Sequence, residues 1–127
     1  MEFSRYPQID LEWLARDTSG CFAIFTTGGS GFAPSNADSK SDLHAAVMGR
    51  IPTPNWGSNA IWSDYAKAGL YCYDWQESTD SYIQLAAPTA ALSTELFALL
   101  NGQPESWVFQ SQFASSQVIN EENWLAT

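Results

Sequence analysis

Asp10-Leu11-Glu12-Trp13-Leu14-Ala15-Arg16-Asp17-Thr18-Ser19-Gly20-Cys21-Phe22-Ala23-Ile24-Phe25-Thr26-Thr27 is the stretch whose reading decides the fold. Leu11, Trp13 and Ala15 alternate with Glu12, Leu14 and Arg16, the period of a strand with one face packed inward. Cys21 to Thr27 is apolar on both sides, as a more central strand is. A polar turn ending in Gly20 joins the two runs, so the stretch reads as a β-hairpin. Gly28-Gly29-Ser30-Gly31 then lets the chain leave the sheet sharply.

The rest of the chain supplies elements to pack against that hairpin. After the polar stretch Ser35 to Ser41, Ser39 and Asp42 form a capping-box signature, and Leu43, Ala46, Val47 and Arg50 follow at helical spacing until Pro52 and Pro54. Thr53-Pro54-Asn55-Trp56-Gly57 reads as a loop carrying a tryptophan that is either exposed or folded back onto the core. Ser58 is a candidate cap for a second helix with Ile61, Tyr65 and Ala68 on one stripe and Gly69 at its end. Leu70 to Trp75 and Tyr82 to Ala87 form a second hairpin about the polar turn Glu77 to Ser81, with Tyr71, Tyr73 and Trp75 on one face and Pro88 as the stop. Ser93 caps a short third helix through Leu96, Leu99 and Leu100, closed by Asn101-Gly102. Ser106 to Phe113 alternates as a strand, and Val118, Ile119, Trp124 and Leu125 pack the tail down, with Asn120, Glu121 and Glu122 opening a final helical turn. The expected architecture is one α+β domain over residues 1–127: an antiparallel sheet of about five strands built from two hairpins, with two to three helices on it.

Composition agrees with a folded domain. Among 127 residues are six Trp, five Tyr and seven Phe against 15% charged residues, which excludes a disordered chain. The N-terminal residues lack an apolar run of the length a secretory signal or membrane span needs, so the expectation is a soluble, cytoplasmic protein without a membrane partner. Cys21 and Cys72 lie among aromatic residues inside strands, where free, buried thiols are expected. Fourteen acids oppose five bases, and from Ala68 onward there are seven acids and no Lys or Arg. Such a field repels nucleic acid and accelerates encounter with a basic protein; it also keeps an aromatic-rich surface in solution.

Chemistry-bearing motifs are sparse. His44 lies in the first helix with no cysteine or serine motif beside it, and reads as a surface or partly buried helical histidine. Thr27 to Gly31 lacks the Lys-Ser/Thr of a phosphate loop and no helix follows, so a turn is the better reading. Two cysteines and one histidine make a poor zinc set, and Asp74, Glu77 and Asp80 do not have the spacing of a calcium loop. No cofactor, metal or catalytic residue is assigned. The same carboxylates, beside Tyr73 and Trp75, suit a protein-binding surface in which aromatic anchors are ringed by charge.

The run Asp10 to Gly20, followed by Ala23-Ile24-Phe25-Thr26-Thr27-Gly28-Gly29, resembles the opening of a group of small, mostly uncharacterised bacterial proteins, some of which resemble immunity proteins of contact-dependent, polymorphic or type VI secreted toxin systems. Gly69-Leu70-Tyr71-Cys72-Tyr73-Asp74-Trp75 and Tyr82-Ile83-Gln84-Leu85-Ala86-Ala87-Pro88 are similar to the middle of the same group, so the resemblance covers residues 10–88. It implies a non-enzymatic cytoplasmic antidote that binds a cognate toxin domain and blocks its active site. A basic nuclease-type toxin would suit the acidic charge. The residues expected at such an interface are Asp74, Trp75, Glu77 and Asp80, then Trp56 and Glu105. Two other classes stay open: a small-molecule-binding module or enzyme with aromatics lining a pocket, and a structural or adaptor domain that pairs through a sheet edge.

Overall fold

The computed structural model describes residues 3–37, 41–102 and 107–125. Their strands are β1 (Phe3–Arg5), β2 (Glu12–Asp17), β3 (Phe22–Thr26), β4 (Phe32–Pro34), β5 (Tyr71–Gln76), β6 (Ser81–Ala86), β7 (Val108–Phe109) and β8 (Val118–Ile119); the helices are α1 (Ser41–Met48), α2 (Ile61–Lys67), α3 (Thr94–Leu100) and α4 (Glu121–Leu125). The fold is α+β, and both expected hairpins form. In the first, Trp13 faces Phe25, Leu14 faces Ile24 and Ala15 faces Ala23. Gly20 takes a φ of +84°, the left-handed conformation that closes the turn.

The sheet is larger than expected and is not antiparallel throughout. Six strands run in the order β7-β2-β3-β5-β6-β8, and β1 pairs with β4 in a separate two-stranded sheet. The two hairpins meet through β3 and β5, which are parallel. The connection allows this: α1 and α2 intervene between β3 and β5, and a crossover of that length is long enough to return the chain in its original direction. The expected strand from Ser106 to Phe113 is limited to β7, which pairs in parallel with β2. Phe113 instead starts a 3-10 turn to Ser115. The short strands β1 and β4 carry too little alternation to be recognised.

The two faces of the large sheet bury different cores. On one face Leu14, Phe22, Ile24 and Cys72 meet Val47 and Ile51, Tyr65 of α2, and Leu96 and Leu100 of α3. On the other, aromatic rings fill the space beneath β1, β4 and the C-terminal segment. Register lines up Trp13, Phe25 and Tyr73 across β2, β3 and β5, and their rings stack at 4.4 and 4.7 Å. The hydroxyls of two core tyrosines are satisfied: that of Tyr82 donates to the Phe32 carbonyl (2.6 Å), and that of Tyr73 to the Ser116 carbonyl (2.6 Å).

Local capping follows the sequence in part. Ser93 Oγ accepts a hydrogen bond from the Leu96 amide (3.0 Å), as expected of a cap. Ser58 does not cap α2, whose N-cap is Ala60; its hydroxyl accepts from the Ala60 amide within the preceding turn (3.3 Å). Asn120 and Asn123 exchange side-chain to amide bonds (2.7 and 3.1 Å) where α4 starts, and Trp124 is buried. Ser39, the expected cap of α1, lies outside the described residues. Both cysteines are free, and burial first, then the nearby Glu12, pushes the Cys72 thiol up to about 12.

Candidate functional site

Acidic groups converge at the end of the sheet formed by the β5–β6 turn. Glu77 and Asp80 are exposed on that turn, which is held by the Asp80 amide donating to the Glu77 carbonyl (3.2 Å) and by a 2.8 Å bond between Thr79 Oγ1 and Ser81 Oγ. Asp80 also rims an open cleft of about 370 Å³ together with Arg5, Thr79, Asn120, Glu121 and Glu122. Three of those six residues are acidic, so α4 adds carboxylates that no local pattern connects to the hairpin.

Asp74 sits one step in from the tip. It pairs with Thr26 on β3 and Ile83 on β6, and Ile83 pairs with Val118 on β8. The row therefore lies on the helix-covered face of the sheet, two residues beyond Cys72. Asp74 is half-buried, and Gln76 Nε2 donates to its Oδ2 (3.2 Å). Desolvation, and then the charge of Asp10, raise its carboxyl above the ordinary range, against a hydrogen bond from the Trp75 backbone. No ion pair reaches it among the described residues.

Trp75 has a different place from the one its neighbours suggested. It is 7% exposed, packed edge-on against Tyr82 and Phe32 (5.1 and 5.8 Å between centroids). The Arg5 guanidinium lies 4.9 Å over its ring while pairing with Glu121 at 3.1 Å and donating to the Ser30 carbonyl at 3.0 Å. Trp75 is thus part of the aromatic core, because the face it shares with Tyr71 and Tyr73 is the inner one. Arg5 is exposed on the rim of the cleft it shares with Asp80, but its ion pair is with Glu121 and it makes none with Asp74, Glu77 or Asp80.

Trp56 is the exposed tryptophan, at 79%. Its loop is tied to α2: the Asn55 amide and side-chain nitrogen donate to the two oxygens of Asp64 (2.9 and 2.8 Å), a buried residue of that helix. Glu105 lies outside the described residues. Of the expected interface residues, the structure brings Asp74, Glu77 and Asp80 together on one hairpin, sends Trp75 beneath it, and sets Trp56 on a separate loop.

Sequence reasoning missed a polar cluster around His44. Its Nε2 lies 3.3 Å from Glu12 Oε1, and the Tyr65 hydroxyl donates to Glu12 Oε2 (3.4 Å). Burial, then Glu12, push the Tyr65 phenol well above its usual value. The available signal was Glu12 itself, a carboxylate on the same strand face as buried Leu14. The recess beside the cluster, lined by Glu12, Leu43, His44 and Trp107, encloses about 10 Å³, room for one water. The glycine loop is a turn whose amides are engaged: Gly28 donates to Asp10 Oδ1 (3.1 Å), Gly31 to the Thr27 carbonyl (2.9 Å). Among the described residues no group of three or more His, Cys, Asp or Glu could hold a metal ion, and no helix is long and apolar enough to cross a membrane.

No family model matches the chain, and no curated protein or solved structure matches it either.

Proposed function

We propose that this chain is a cytoplasmic immunity protein that binds a cognate basic toxin domain and inhibits it by covering its active site, without turnover of its own. The observation that carries the reading is Asp74, a half-buried carboxylate without an ion pair among the described residues, set beside Asp10 and below exposed Glu77 and Asp80. A carboxylate in that setting is costly to ionise alone, and a lysine or arginine from a partner relieves the cost. Ile83 and exposed Val118 continue the row and supply apolar contact around it. The resemblance of residues 10–88 to proteins akin to immunity proteins names the class of partner.

Co-expression tests this directly. The C-terminal domain of a large secreted toxin encoded by a neighbouring gene should kill cells that lack the protein and spare those that make it. Equal killing in both would end the proposal.

A second reading, a small-molecule-binding module or enzyme, draws on the Glu12–His44–Tyr65 cluster. It is the weaker one, since the recess there has room for a water and not for a substrate.

A further inference from the structure

The segment from Ile51 to Ser63 contains no charged residue, in a chain whose net charge is −9. Trp56 projects from it at 79% exposure, and an open cleft of about 220 Å³ lies alongside, lined by Pro52, Pro54, Asp64, Lys67 and Ala68. Both oxygens of Asp64 are taken up by Asn55. The cleft therefore offers two proline rings, an alanine methyl and the stem of Lys67, an apolar lining of a size to take an indole.

We propose that this face is a self-association surface on which Trp56 of one copy seats in the cleft of a second copy, and reciprocally, to form a weak two-fold dimer. Knob and cleft lie on one patch, with Pro54 in the cleft wall two residues from Trp56, so the patch is self-complementary in the way a two-fold contact requires. Charge selects the occupant. Lys67, the one ammonium at the rim among the described residues, disfavours a basic partner, and an uncharged loop is where two strongly acidic bodies meet with least repulsion. Area sets the strength: a buried indole covers about 150–250 Å², so two knobs and two cleft walls come to about 600–1,000 Å², the size of a weak, transient contact. The braced loop needs little further ordering on contact.

Sedimentation equilibrium over about 5–500 μM tests this on the intact chain. Wild type should fit a monomer–dimer equilibrium with a dissociation constant in the micromolar range. Trp56→Ala should weaken dimerisation about tenfold or more, with Trp56→Phe between the two. As Trp56 is exposed, both variants should keep the wild-type melting temperature, and acrylamide quenching of wild-type fluorescence should fall as concentration rises. Added salt should leave the dimer unchanged or tighten it, the opposite of its effect on docking to a basic protein. A wild type that stays monomeric throughout, or a Trp56→Ala variant that dimerises as wild type does, would overturn the proposal.

Discussion

Asp17, the buried last residue of β2, carries more of the structure than its place at the end of a strand suggests. Its Oδ1 accepts from the Ser19 amide (2.9 Å), the Ser19 hydroxyl (2.8 Å) and the Cys21 amide (2.9 Å), and its Oδ2 accepts from the Phe113 amide (2.9 Å). One carboxylate thereby closes the first hairpin and ties the C-terminal segment over the aromatic core. Removing it orphans the buried Phe113 amide and frees the part-buried amides of the turn, so Asp17→Ala should cost about 2–4 kcal/mol, read as a lower urea midpoint at unchanged slope. Asp74 has the opposite character. Its carboxyl is raised by burial, so the native state holds the proton more tightly than the unfolded chain does. Stability is then fully present below the ordinary carboxylate range and declines as pH rises through the native value. Asp74→Asn should melt higher than wild type at neutral pH, lose that advantage as pH falls to the ordinary range, and associate more slowly with a basic partner. A variant that is both more stable and a poorer binder marks a residue kept for recognition.

At the scale of elements, the β5–β6 hairpin presents the charge. Glu77 and Asp80 are exposed and make no ion pair among the described residues, so Glu77→Lys with Asp80→Lys should lower the melting temperature by no more than a few degrees, the loss coming from Asp80, whose φ of +49° suits Asp better than Lys. The same pair should slow association with the toxin domain about three- to tenfold, measured by stopped-flow fluorescence. Both hairpins were legible because their signals are local: alternation at period two and turn residues between. The parallel joint between β3 and β5 was not, since an order of two strands, two helices and two strands suits either direction of pairing. Trp75 was misplaced for a related reason. Period two groups it with Tyr71 and Tyr73, but which face is inner depends on β1, β4 and the C-terminal segment closing over it. The pairing of Glu12 with His44 joins residues 32 positions apart on different elements, beyond the reach of any spacing rule.

For the whole molecule, the asymmetry of charge is the feature that links sequence to function. The acids of the β5–β6 turn and of α4 gather at one end of the sheet, Arg5 beside them is paired with Glu121, and the uncharged Trp56 loop occupies a separate surface. A field of this kind steers a basic partner towards one end before any contact forms, and salt screens that steering. The most direct measurement is the association rate with the toxin domain as ionic strength rises from about 20 to 500 mM. The account predicts a fall of about tenfold or more for wild type, and a much shallower slope once Asp74, Glu77 and Asp80 are changed to lysine; a rate that does not vary with salt, or a slope unchanged by the three lysines, would contradict it.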